Sequence, residues 1–140
     1  MARTIVLGYD GSAGARAALE ATVELASLEG ARVVVTFAFE IPAAYGGETG
    51  DYRRAVRALA EETVQGAAAR IAEAGLEYDV ELVAERPVVG LVDVAAKQGA
   101  SLIVVGTHGE HWIRGTILGS VPHKLLHVSP VPVLVVPAAA

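Results

Sequence analysis

The chain contains no cysteine. That removes a disulfide framework, a thiolate nucleophile and any thiolate zinc centre, and it accords with a reducing compartment. Aromatic residues are scarce, at 5%, while alanine is abundant, a balance suited to helices packed closely on a sheet of small residues. No apolar run approaches the roughly 20 residues of a membrane-spanning helix. The opening MARTIVLGYD reaches aspartate too early for a signal peptide. Like charges form no runs either: 11 Lys and Arg and 16 Asp and Glu are interspersed, for a formal net charge of -5. The electrostatic footprint of a nucleic-acid or anionic-membrane surface is therefore missing. The expectation is a cytoplasmic chain that engages neither.

What is present is a strong alternation. The length of 140 residues suits one domain spanning 1–140, and 53% apolar residues supply a sizeable core. Short β-branched runs bounded by turn residues recur at 4–9 (TIVLGY), 31–39 (ARVVVTFAF), 77–84 (EYDVELVA), 101–106 (SLIVVG) and 131–136 (VPVLVV), and read as five strands. Helical spacing fills the gaps. Ala17, Ala18, Ala21, Leu25 and Leu28 form a stripe behind Ser12, a candidate N-cap. A second helix from about Asp51 places Val56, Leu59, Ala60, Val64, Ala67 and Ile71 on one side, with Arg53, Arg54, Arg57, Glu61 and Glu62 mostly off it as a solvated face. A third opens at Pro87 and stops at Gly99. A fourth covers about 117–127.

Near-continuous Val, Ile and Leu strands are buried on both faces, which calls for helices on both sides of a mainly parallel sheet. The expected fold class is a doubly wound, Rossmann-like α/β sandwich of three layers with the flavodoxin-like strand order 3-2-1-4-5. The aperiodic stretch 40–50 (EIPAAYGGETG) either borders a ligand or is a plain connection.

In such sheets ligands bind beyond the carboxyl ends of the strands where the winding reverses, here between strands 1 and 4. Asp10 then stands at the crevice, where its carboxylate suits ribose hydroxyls or an amino donor; its other role is to start the first helix. The backbone around Ala38, at the end of strand 2, would form a wall able to offer N–H and C=O to a flat base.

The segment VVGTHGEHWIRGTILGS, 104–120, holds four glycines. Gly106 ends strand 4, Gly109 follows, and Gly119 and Ser120 open the last helix. Glycines let amides approach an anion closely, and the helix start adds N–H donors, a hydroxyl and the positive dipole end. A phosphate cradle fits better than a mere set of turns. A Walker loop is excluded because GYDGSAGARA has no lysine after strand 1, and a dinucleotide fingerprint is excluded by its glycine spacing.

These residues resemble the universal stress protein family, whose nucleotide-binding members carry G-x2-G-x9-G-[S/T] after strand 4. GTHGEHWIRGTILGS matches through Gly106, Gly109, Gly119 and Ser120. The opening VGYDGS-like segment, LIVVGTHG and the closing GSVPHKLLHVSPVPVLVV extend the likeness over nearly the whole chain. The resemblance implies ATP or a related adenine nucleotide (ADP or AMP), with Mg²⁺ or Mn²⁺ held mainly by the phosphates. It places Gly8 and Asp10 beside the adenosine, Ala38 beside the adenine, and Gly106, Thr107, Gly109, Gly119, Ser120 and Val121 around the phosphates and ribose. It also implies a homodimer through the last strand, Val131 to Val136, an apolar edge that needs covering. The regulatory protein partner is not specified by the sequence.

Between Gly109 and Gly119, relatives tend to small and basic residues, whereas this chain has Glu110, His111, Trp112 and Arg114. An inward Glu110 would oppose a triphosphate. Arg114 is the candidate phosphate contact, the alternative being a solvated arginine. Trp112 packs on a ligand or partner chain, or folds onto its own helix. His108, His111 and His123 taken together lack the H-x3-H spacing of a helical metal pair, so no histidine metal site is expected. Catalytic candidates are scattered, and GYDGS is not a nucleophile elbow, so at most slow ATP hydrolysis is expected. The leading reading is a stress-response or regulatory nucleotide binder; the alternative is a dimeric interaction module of the same fold that uses no nucleotide.

Overall fold

A computed structural model of the chain describes residues 3–40, 50–108 and 119–138. The expected alternation is present. Strand β1 (Thr4–Gly8) leads to helix α1 (Ala13–Glu29), β2 (Arg32–Ala38), α2 (Gly50–Glu73), β3 (Tyr78–Val83), α3 (Pro87–Gln98), β4 (Leu102–Gly106), α4 (Ser120–Val128) and β5 (Val133–Val136). All neighbouring strands pair in parallel, in the order β3-β2-β1-β4-β5. The aperiodic stretch 40–50, expected to border a ligand or to be a plain connection, falls largely on 41–49, outside the described residues. Among the described residues no helix is long and apolar enough to cross a membrane.

The pleat sorts the strand residues into two cores, because successive side chains point to opposite faces. Ile5, Leu7, Val33, Val35 and Val104 meet Ala18, Val23, Val64 and Ile71 of α1 and α2. Val6, Val34, Ile103 and Val105 meet Leu91, Val94 and Leu125 of α3 and α4. That is the three-layer arrangement, and it explains why the central strands read as unbroken aliphatic runs.

Helix ends follow the local chemistry. The Ser12 hydroxyl accepts from the Ala15 N–H at 3.2 Å and caps α1. Pro87 opens α3, and Gly99 closes it in the left-handed conformation, its N–H returning to the carbonyls of Ala95 and Ala96. Three local expectations need correction. The buried face of α1 is Ala15, Ala18, Leu19, Thr22, Val23 and Ala26 rather than a stripe ending at Leu28, which is 79% exposed. The buried face is rotated from that stripe because it includes Thr22, which apolar spacing leaves out and which hides its polarity by donating to the Ala18 carbonyl at 2.8 Å. In α2, Leu59 is 64% exposed and Ala68 takes a buried place beside Ala67. Helix α4 begins at Ser120, after an extended Gly119; residues 117 and 118 lie outside the described residues.

At the amino ends of the strands, Arg32 joins Asp79 at 2.6 Å and Gln98 at 2.9 Å, and Lys97 joins Glu81 at 2.9 Å. The bond from Lys97 holds the Glu81 carboxyl below its ordinary range against the opposing effect of burial, with Gln98 assisting. The opposite, carboxyl edge is where the sheet opens.

Candidate functional site at the carboxyl edge of the sheet

The β1–β4 ladder stops at Leu7 opposite Val104. On either side pairing continues one or two residues further, to Gly8 opposite Thr36 and to Gly106 opposite Val136. The two halves of the sheet therefore part between β1 and β4, at the point where the chain reverses its direction of winding. A crevice follows from the topology.

On the β1 side, Asp10 and Ser12 form a tight turn in which the Ser12 N–H donates to Asp10 Oδ1 at 3.0 Å. Asp10 thus supports the start of α1 through a side-chain oxygen while Ser12 does the capping. Arg16 donates to the Gly11 carbonyl and braces the same turn. Tyr9 turns its ring into the core shared with α1 and α2. Burial pushes its phenol above the ordinary tyrosine range, with Arg16 opposing and Asp10 reinforcing the rise.

On the β2 side, the Tyr9 N–H donates to the Thr36 carbonyl at 2.9 Å, and the Phe39 N–H donates to Val83 at 2.9 Å. Alternation along a parallel strand then directs the N–H and C=O of Ala38 toward the β1 side, beyond the last rung of that ladder. Helix α3 comes close behind it: a Cβ on Gly90 would stand 3.0 Å from Ala38 Cβ.

The β4 side rests on backbone-to-backbone contact. A Cβ on Gly106 would lie 2.4 Å from the Gly14 carbonyl carbon and 2.6 Å from its oxygen, and one on Gly14 would lie 2.5 Å from the His108 oxygen. Glycine at both places lets the first turn of α1 sit directly on the end of β4, which ties the Asp10 turn to the Thr107 segment. Thr107 is fixed from two directions, its N–H donating to Val136 at 3.0 Å and its carbonyl accepting from the Gly119 N–H at 2.7 Å. The chain leaves at His108 and returns at Gly119 to the same spot. Gly119 is close enough that a Cβ there would stand 2.9 Å from the Thr107 oxygen.

Helix α4 starts at this junction without a side-chain cap. The His123 N–H is taken by the Gly119 carbonyl at 3.2 Å, and Pro122 has no N–H to offer. The N–H groups of Ser120 and Val121 are thus the donors at the positive end of the helix dipole. The structure brings together Gly8, Asp10, Ala38, Gly106, Thr107, Gly119, Ser120 and Val121 at one edge of the sheet. Gly109 and Arg114, the remaining candidates, lie outside the described residues, as do Glu110, His111 and Trp112.

Two residues escaped the sequence reading. Gly14, whose lack of a side chain admits Gly106, was signalled only by a small residue two places after the cap in GSAG. His127 was signalled by VPHKLLHV, where it follows His123 at H-x3-H spacing. Elsewhere on the carboxyl edge, Glu40, Ala84, Glu85, Arg86 and Val89 line a concavity of about 400 Å³. A hydrogen bond with Asp93 raises the Glu85 carboxyl, helped by burial and by the Asp93 charge. Across the same concavity Arg86 pairs with Glu40 at 3.5 Å.

The fold is that of a doubly wound α/β protein, a class in which ligands bind at the carboxyl edge of the sheet where the strand order reverses. The profile of the universal stress protein family matches residues 1–137, and the chain belongs to that family. A universal stress protein of Thermus aquaticus is 34% identical over 137 residues, covering 97% of this chain and 99% of its own. The crystal structure of a universal stress protein in complex with cAMP aligns with TM-score 0.72 at 29% identity, over 98% of both chains. The structure of the universal stress protein from Archaeoglobus fulgidus in complex with dAMP aligns with TM-score 0.71 at 27% identity, over 97% of this chain and 98% of that one.

Proposed function

We propose that the chain binds an adenine nucleotide, ATP in the first instance, in the crevice between β1 and β4, and acts as a regulatory protein whose bound and empty states differ. The observation that carries this reading is the Thr107–Gly119 hydrogen bond, which holds the start of α4 against the end of β4 beside the Asp10 turn. The amides of Ser120 and Val121 and the Ser120 hydroxyl then serve as phosphate donors. Gly106, Thr107, Gly109 and Gly119 keep the backbone near the phosphates and ribose, and Arg114 adds a charge-assisted contact. Asp10 accepts from the ribose hydroxyls, Gly8 lies beside the adenosine, and Ala38 offers N–H and C=O to the adenine edge. The cAMP and dAMP complexes of the two relatives support the adenine class.

Oxygen-lined phosphates supply most ligands to a Mg²⁺ or Mn²⁺ ion, which keeps its remaining waters. No base for water is positioned by the residues brought together here, so hydrolysis is slow at most. The chain works as a single domain and pairs with a second copy through β5, whose half-buried valines form one edge of the sheet. Nucleotide acts by binding one loop arrangement better than the other.

Calorimetric titration with ATP and Mg²⁺ checks the site. Wild-type protein is expected to bind, and Asp10→Ala to weaken binding about ten- to hundredfold, the worth of a hydrogen bond to a charged group. Equal affinity in both proteins would remove Asp10 from the site; no heat at millimolar ATP would overturn the reading.

A further inference from the structure

Helix α4 reads SVPHKLLHV. Residues four apart lie one turn above another on the same side of a helix. Pro122 and Leu125 take the inward positions, which turns His123 and His127 outward, and both are exposed. Their rings touch edge to face, with centroids 5.1 Å apart and planes at 74°. Two imidazoles one turn apart offer a pair of nitrogen donors to a single point, which is how H-x3-H helices hold a zinc-class ion. Rotation of exposed side chains is all that separates the observed ring contact from a chelate.

The donor set is selective. The helix contains no aspartate or glutamate, so it offers nothing to hard cations such as Mg²⁺, which require oxygen ligands, whereas imidazole suits zinc, copper and nickel. Lys124 is the one permanently charged side chain of the helix, and it sits about a quarter turn away from His123. Among the described residues no group of three or more His, Cys, Asp or Glu could hold a metal ion. The site is therefore a two-donor chelate that leaves coordination positions to water or to a donor from another molecule.

We infer that His123 and His127 form a binding site for a divalent transition-metal ion of the zinc class on the outer face of α4, distinct from the ion carried by nucleotide phosphates. An ion bridging the two rings joins the first and last turns of α4. It thereby stabilises the short helix whose start, at Gly119, is bonded to Thr107.

The test uses tag-free, full-length protein and zinc sulfate, with no nucleotide present, so its failure leaves the nucleotide reading untouched. Wild-type protein is expected to bind zinc at this site in the presence of millimolar Mg²⁺. His123→Ala and His127→Ala are each expected to weaken that binding at least about tenfold, since even loss of a group supporting a metal ligand costs about 10- to 100-fold. Zinc is expected to raise the melting temperature of the wild type and not that of either variant, because a ligand stabilises only the state it binds. Both histidines are exposed, so the variants keep the fold, which circular dichroism verifies. Equal zinc affinity in the three proteins, zinc stabilisation retained in both variants, or no zinc binding by the wild type would each overturn the inference.

Discussion

Gly106→Val is expected to lower the melting temperature by about 4–12 °C and to abolish nucleotide binding. The added Cβ would stand 2.4 Å from the Gly14 carbonyl carbon, 2.6 Å from its oxygen and 2.8 Å from its Cα. These are backbone atoms at the start of a helix, so they cannot swing aside as a side-chain tip would. Relief requires α1 to move away from β4, which loosens the packing of Ala15, Ala18 and Val23 on the sheet. Overpacking of this kind costs about 1–3 kcal/mol, and each kcal/mol is worth about 4 °C in a domain of this size. The same movement separates the Asp10 turn from the Thr107 segment, the two halves of the proposed site. Gly66 provides the contrast: it lies within α2 with nothing within 4 Å of an added Cβ. There, Gly66→Ala is expected to stabilise by about 0.5–1 kcal/mol through helix propensity. Thermal melts of both variants check the pair, and an unchanged melting temperature in Gly106→Val would contradict the packing described.

Leu125→Ala is expected to cost about 2–5 kcal/mol, the range for emptying a fully buried leucine site. Leu125 is 0% exposed; it and Pro122 are the buried residues of α4, with half-buried Val121 packed on the same core. A helix of nine residues is too short to persist on propensity, so its docking depends on this side chain. Once α4 frays, the amides of Ser120 and Val121 lose their fixed direction, and nucleotide affinity is expected to fall along with stability. Leu126, next in sequence but 54% exposed, is the control: Leu126→Ala should stay within about 0.5 kcal/mol. Urea denaturation measures both. A loss under about 1 kcal/mol for Leu125→Ala would show that α4 is held by something else.

The alternation of strands and helices and the strand order were legible because each central strand is a short aliphatic run and two of the helices begin or end on recognisable residues, α1 after Ser12 and α3 between Pro87 and Gly99. Asp10 and Ser12 were legible as a pair. Their division of labour was not, because either residue type can serve a helix start and only geometry separates the cap from the turn that precedes it. The buried face of α1 runs through Leu19, Thr22, Val23 and Ala26 rather than Ala17, Ala21 and Leu28, because the polar Thr22 sits inside it and alanines on both sides of the helix give the apolar spacing no clear direction. The His123–His127 pair is written in VPHKLLHV as H-x3-H spacing, but its ring contact depends on both side chains facing outward from α4, which only the packing of Pro122 and Leu125 decides. Gly109 and Arg114, and with them the chemistry of EHWIR, fall outside the described residues. That part of the proposed site therefore rests on sequence, while the frame that brackets it, from Thr107 to Gly119, rests on hydrogen bonds.

The central claim is that the crevice between β1 and β4 takes an adenine nucleotide. Mass spectrometry of whatever small molecule is released when the purified chain is denatured tests it most directly. The expected result is an adenine nucleotide in the wild-type protein that is absent from the Gly106→Val protein. A wild-type chain that releases no adenine nucleotide, and takes up none when incubated with millimolar ATP and Mg²⁺ before denaturation, would contradict the account and favour an interaction module that uses no nucleotide.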